Sequence, residues 1–201
     1  MKYVLFNPLA NNNRGETDAK TWANAYIGNE ARFQSVIGLD YKGFFDSLQE
    51  SDEVTLCGGD GTLNYFVNEI YGYAFSMPLY YAKCGTGNDF YRDVEGYEQN
   101  GRIDLRPFIV NLPLITVNGI KKRFLNGIGY GVDGDTCLEG DKIRAKNPAA
   151  DIDYSKIAIG LLLGTYKDPD GKKTAFDPKN VTVTADGKEY AFKNAWLSSA
   201  M

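Results

Sequence analysis

The sequence contains no histidine. That excludes His-based catalytic triads, His-ligated metal sites and histidine as a general base, and leaves acid–base work to carboxylates, Lys, Tyr or Cys. Cysteine is scarce: Cys57, Cys84 and Cys137 are an odd number at spacings that fit no zinc pattern. They read as reduced intracellular thiols rather than a disulfide framework. No long apolar run exists; the longest, "IAIGLLLG" at 157–164, falls far short of the roughly 20 residues of a membrane span. There is no basic excess either. Lys plus Arg is 22 against 26 for Asp plus Glu, a net charge of −4, so no nucleic-acid partner is expected. The clusters Lys121-Lys122-Arg123 and Lys172-Lys173 read as solvated turn and edge residues, with a membrane-facing role as the lesser alternative. At the start, "MKYVLFNPLANNN" has an apolar core too short for a signal peptide and interrupted by Pro and Asn. The expected location is the cytoplasm, with no transmembrane segment.

What is present is a globular composition. The 201 residues are 43% hydrophobic and 13% aromatic, enough for one large domain or two small ones. The first half alternates strand-like and helix-like segments. Strands are expected at 2–6, 32–37, 53–57 and 78–83, and helices at 16–27, 41–50 and 62–72. Such alternation means βαβ units and a parallel sheet. The second half differs. Two β-like runs flank Asn118-Gly119 and two more flank Asp186-Gly187, both type I′ hairpin signals; a helical pattern covers 151–166 between them. We therefore expect an α/β domain over 1–105 and a β-rich domain over 106–201. Residues 192–201 read as a strand in progress, so the β-rich domain is expected to be incomplete and the chain a fragment of a longer one.

The segment "LCGGDGTLNYFVNE" (56–69) runs from the end of a strand into a helix. The carboxyl edge of a parallel sheet is where open α/β folds bind ligands. Glycines let backbone approach a phosphate, and the N–H groups at a helix start favour anions. Asp60 within Gly58, Gly59, Gly61 and Thr62 suits a Mg²⁺ held between carboxylate and phosphate; a plain turn with Asp60 as helix cap is the alternative. A second loop, Gly85-Thr86-Gly87-Asn88-Asp89, follows the next strand, and Asn7-Pro8 ends the first one. Asp60, Asp89 and Asp104 are expected to converge at this edge, with an ordinary turn role as the alternative for Asp104.

With these pieces in order, the sequence resembles the diacylglycerol kinase-type lipid kinases, which include sphingosine kinases and soluble bacterial diacylglycerol kinases. The resemblance rests on Asn7-Pro8, Gly58-Gly59-Asp60-Gly61-Thr62 with Asn64 and Asn68, Gly85-Thr86-Gly87-Asn88-Asp89-Phe90 with Arg92, Ile103-Asp104-Leu105 and "FLNGIGYGVD" at 124–133. It implies an α/β domain like that of NAD kinases and phosphofructokinases, a β-sandwich domain behind it, and ATP with Mg²⁺ as cofactors. It implies γ-phosphoryl transfer to a hydroxyl of a diacylglycerol-like lipid at a membrane surface, and leaves homodimerisation open. By position, Asn7, Gly58, Gly59, Asp60, Gly61, Thr62, Asn64, Gly85, Thr86 and Asn88 would hold nucleotide. Asp60, Asp89 and Asp104 would form a water-linked carboxylate network around the metal.

The sequence departs from the family at Leu9-Ala10, where Ser-Gly is usual, and at Tyr65, where Glu is usual; near Gly38-Leu39 it lacks a threonine. The family's Asp-Gly-Glu general base has no counterpart in the expected position, and Asp186-Gly187-Lys188-Glu189 reads as turn chemistry. Two alternatives stay open: an NAD kinase-like enzyme, which shares the GGDGT loop, and a non-catalytic nucleotide-binding module.

Overall fold

The computed structural model describes the whole chain except Thr86, Pro148, Ala149 and Met201. It divides into two compact units, Met1–Asn126 and Gly127–Met201.

The first unit is an α/β layer structure. Its elements in order are β1 (Lys2–Phe6), α1 (Ala10–Asn13), α2 (Gly15–Tyr26), β2 (Ala31–Ser35), α3 (Tyr41–Asp46), β3 (Glu53–Gly58), α4 (Asp60–Ile70), β4 (Leu79–Lys83), α5 (Asp89–Asp93), β5 (Ile103–Asp104), β6 (Leu114–Val117) and β7 (Ile120–Arg123). Strands β1 to β5 form one sheet in the order β2-β1-β3-β4-β5. Pairing is parallel except for β5, which runs antiparallel to β4. The chain leaves β1 toward β2 on one side and returns to β3 on the other. This reversal makes the carboxyl ends of β1 and β3 the topological switch point, the place where sheets of this kind take ligands.

Side-chain alternation along the strands sorts the core into two layers. Leu5, Leu56 and Tyr81 share one register row and pack with Leu63, Phe66, Val67 and Ile70 of α4. The next row, Phe6, Cys57 and Ala82, faces the other way and packs with Ala19, Trp22 and Ala23 of α2. The apolar stripe of α4 is thus core, as its helical spacing demands. Cys57 sits in the second layer, and burial pushes its thiol pKa up, which suits a small apolar residue better than a reactive thiol.

The β6–β7 hairpin turns through Asn118 and Gly119 with φ of 50° and 81°, as a type I′ turn requires. It belongs to the first unit, so the division falls later than the boundary expected near residue 105. One side chain links the hairpin to that unit. The Asn68 amide of α4 donates to the Arg123 carbonyl at 3.0 Å and accepts from the Arg123 N–H at 2.9 Å, completing the edge of β7 and fastening the hairpin to the α/β layer.

The second unit contains β8 (Ile128–Gly131), α6 (Val132–Lys146), α7 (Tyr154–Leu162), β9 (Tyr166–Lys167), β10 (Lys173–Thr174), β11 (Lys179–Ala185), β12 (Lys188–Ala195) and β13 (Leu197–Ala200). Its described strands form two-stranded antiparallel sheets: β9 with β10, β11 with β12, and β8 with β13. Asp186 and Gly187, with φ of 51° and 76°, are the tip of the β11–β12 hairpin, in keeping with turn chemistry. Helix α6 packs on α7 through Gly140, where a Cβ would come within 2.6 Å of the Tyr154 ring. Among the described residues no helix is long and apolar enough to cross a membrane.

Candidate functional site

Both glycine loops emerge at the carboxyl edge of the sheet, after β3 and β4, and their backbones touch. A Cβ built on Gly85 would lie 2.5 Å from the Gly59 Cα, and one on Gly59 would lie 3.2 Å from the Gly85 Cα. Asn88 closes the second loop on itself: its Oδ1 accepts from the Gly85 N–H at 3.2 Å and its Nδ2 donates to the Gly85 carbonyl at 2.6 Å. It adopts a left-handed φ of 54°, which asparagine tolerates better than most residues. Thr86 lies outside the described residues.

Asp60 ties the loops together. Its Oδ2 accepts from the Asp89 N–H and its Oδ1 from the Phe90 N–H, each at 3.1 Å. The first residue of α4 therefore caps the start of α5 across the site, satisfying two donors that a helix start leaves without partners. Gly87 makes room for this contact, since a Cβ there would be 3.0 Å from Asp60 Oδ2.

The glycines around Asp60 serve different ends. Gly58 needs to be glycine because a Cβ would strike the Thr62 side chain at 2.7 Å, and Gly59 because of Gly85. Gly61 has no such reason. A Cβ there would meet nothing within 4 Å, and the residue lies in the first turn of α4, where neither a close contact nor a positive φ calls for glycine. Helix α4 starts at Gly59 with no side-chain cap, so its first N–H groups, Gly61 and Thr62 among them, have no capping side chain, the arrangement that favours an anion. Thr62 is buried beneath, and Asn64 is exposed on the next turn.

Asn7 stands at the end of β1, on the other bank of the switch point. Its side chain is engaged in its own turn, accepting from the Leu9 N–H at 3.0 Å. The turn is tight against α2, for a Cβ on Gly15 would fall 1.9 Å from the Asn7 carbonyl oxygen. Asn11, Asn12 and Asn13 follow, all with positive φ (49°, 55° and 62°).

The three carboxylates do not gather. Asp60 faces the α5 backbone. Asp89 is largely exposed and pairs with Arg92 at 3.3 Å. Asp104 lies opposite Tyr80 in register, about 10 Å of strand away from Lys83 at the carboxyl end of β4. There it takes a bidentate grip from Arg106, Nε at 3.0 Å and Nη2 at 2.7 Å. Burial raises the Asp104 pKa, and the hydrogen bonds from Arg106 outweigh it and hold the carboxyl below its usual range. Among the described residues no group of three or more acids or cysteines is placed to hold a metal ion. The antiparallel entry of β5 explains the separation: it carries Asp104 toward the amino end of β4. Sequence order hides that reversal.

Two residues are more structural than their motif positions suggest. Asn68 fastens the hairpin, and Arg92 partners Asp89. The Asp60-to-α5 link has a sequence signal in hindsight, an acid in one glycine loop and a helix start just after the other.

Comparison with known proteins agrees with this geometry. The profile of the diacylglycerol kinase catalytic domain family matches residues 2–111. A crystal structure of a diacylglycerol kinase from Bacillus anthracis Sterne is similar in fold, with a TM-score of 0.50 and 19% identity, covering 98% of this chain and 62% of that one. A second structure from the same organism, described as a candidate diacylglycerol kinase, gives 0.47 and 21%, covering 98% and 63%. The chain thus spans less than two thirds of either. No curated protein matches it. The family match takes in every element from β1 to β5, with both glycine loops, and the chain belongs to the diacylglycerol kinase catalytic domain family.

Proposed function

We propose that this chain supplies the nucleotide site of an ATP-dependent lipid kinase, which moves the γ-phosphoryl group of ATP to a hydroxyl of a diacylglycerol-like lipid. The observation that carries the reading is Gly61: an unneeded glycine in the uncapped first turn of α4, at the switch point of the sheet, in a family of kinases. The N–H groups of Gly61 and Thr62 would bind phosphate oxygens, with Gly58 and Gly59 keeping the approach clear. Gly85 and Asn88 would hold the second loop against the first, with Thr86 and Asn64 beside the nucleotide and Asn7 on the opposite bank. Phosphoryl transfer is chiefly positioning and charge stabilisation, and backbone donors held rigid by the Asp60 link suit that task.

A caged Mg²⁺ does not fit the carboxylates present. Asp60 holds the Asp89 and Phe90 N–H groups, one on each oxygen, Asp104 is gripped by Arg106, and among the described residues no three acids are placed around one point. Mg²⁺ usually keeps several waters and binds through one or two carboxylates plus substrate phosphates. A metal brought in on ATP, with Asp89 as the nearby carboxylate, suits this site better than a three-acid network.

The test is transfer of radiolabel from γ-labelled ATP to diacylglycerol presented in mixed micelles, with NAD as the competing acceptor. Labelled lipid that disappears in Gly61→Val supports the reading. Labelled NAD in place of lipid would favour the NAD kinase-like alternative, and ATP binding with no transfer to either acceptor would favour a nucleotide-binding module.

A further inference from the structure

The β6–β7 hairpin carries a feature that the nucleotide site does not use. Residues 105–126 hold four basic residues, Arg106, Lys121, Lys122 and Arg123, and no acid, in a chain whose net charge is −4. Two of the four are engaged. Arg106 grips Asp104, and Arg123 lies with its guanidinium 3.5 Å from the centre of the Tyr71 ring while donating to the Leu112 carbonyl. Lys121 and Lys122 are exposed, and among the described residues no ion pair joins either to a carboxylate.

The register sorts the hairpin's side chains by face. Val117 pairs with Ile120 and Ile115 with Lys122, so these four share one face. Thr116 pairs with Lys121 and Leu114 with Arg123 on the other. The two residues that flank the Asn118-Gly119 turn are thus both aliphatic, and Val117 and Ile120 are 54% and 66% exposed. A lysine follows behind them on each face. The tip also projects. Asn68 fastens β7 at Arg123, and Ile120 lies about 10 Å further along the strand at roughly 3.4 Å per residue.

An aliphatic tip with uncompensated cations just behind it matches the layers of an anionic bilayer, where acyl chains lie beneath charged headgroups. The tip enters furthest, and the lysine stems reach back to the phosphates. A nucleic acid offers the negative charge without an apolar phase, and Leu114–Arg123 carries no aromatic side chain on which a base would stack. We propose that the β6–β7 hairpin docks the chain on an anionic lipid surface, with Val117 and Ile120 below the headgroups and Lys121 and Lys122 against their phosphates. The docking does not depend on which acceptor the glycine loops serve.

The test is co-sedimentation of the full chain with vesicles of equimolar phosphatidylcholine and phosphatidylglycerol, beside vesicles of phosphatidylcholine alone. The chain should bind the anionic vesicles at least about tenfold more tightly. Lys121→Gln combined with Lys122→Gln should weaken that binding at least about tenfold, since each lysine at such a surface contributes about fivefold. Val117→Ser combined with Ile120→Ser should weaken it at least about tenfold as well, through loss of the inserted side chains. All four positions are exposed, so these variants leave the core untouched. Lys172→Gln with Lys173→Gln removes the same charge from the second unit and should leave binding unchanged. Gly61→Val, which removes the proposed phosphate site, should leave it unchanged too, so this proposal and the kinase reading fail separately. Equal binding to the two kinds of vesicle, or equal losses in the two lysine pairs, would overturn the proposal. Binding that falls with Lys121 and Lys122 but is undiminished in the Val117→Ser, Ile120→Ser variant would overturn it as well, because that pattern marks a site for a polyanion with no apolar phase.

Discussion

Single residues in the glycine loops differ in what a side chain added there would meet. Gly85→Ala would force a methyl to within 2.5 Å of the Gly59 Cα, a backbone clash with no flexible neighbour to absorb it. The expected cost is about 1–3 kcal/mol, read as a lowered urea midpoint at unchanged slope. Gly61→Ala should do the opposite. With open space around the new methyl, helix propensity alone predicts stabilisation by up to about 1 kcal/mol, together with weaker ATP binding. A variant that gains stability and keeps full affinity would show that Gly61 marks no ligand. Asp104 gives a pH-dependent case. Its pKa in the folded chain lies below the ordinary carboxylate value because the Arg106 hydrogen bonds outweigh burial. The pair therefore stabilises the fold above the unfolded-state pKa, and that contribution is lost as pH falls through the depressed folded value. In Arg106→Gln, urea unfolding should show lower stability at neutral pH and a shallower loss of stability on acidification than the parent chain.

Elements were more legible in the sequence than their meeting points. The strands β1, β3 and β4 and helices α2 and α4 follow from apolar periodicity and from glycine or asparagine punctuation, and both I′ hairpins from their Asn-Gly and Asp-Gly pairs. Helix α6 was not legible: "VDGDTCLEGDKIRAK" buries Thr136, Glu139 and Gly140, a face with no apolar stripe for periodicity to find. The placement of Asp104 was hidden for another reason, since strand direction at a sheet edge leaves no local mark. The role of Asn68 was equally hidden, because its partner Arg123 lies 55 residues on. Asn68→Ala should remove both hydrogen bonds that complete the β7 edge, at about 1–3 kcal/mol. Hydrogen exchange should then quicken in Leu114–Arg123 while the sheet amides of β3 and β4 stay protected. Uniform loss of protection across the first unit would mean that the hairpin is part of its cooperative core.

At the scale of the whole molecule, the first unit combines a reversal in strand order, two glycine loops joined by Asp60, and a helix start with no side-chain cap. The second unit is built of small antiparallel sheets and a helix pair. The chain covers 62% of the diacylglycerol kinase structure it is similar to, so lipid transfer by this chain stands as a proposal for the activity assay to test. The most direct measurement of the central claim is a calorimetric titration of ATP into the chain, with and without Mg²⁺, repeated with Gly61→Val. Saturable ATP binding in the parent, lost in a Gly61→Val variant that unfolds at no lower urea concentration, is the expected result. Equal ATP affinity in the two proteins would contradict the assignment of the α4 amino terminus as the phosphate site.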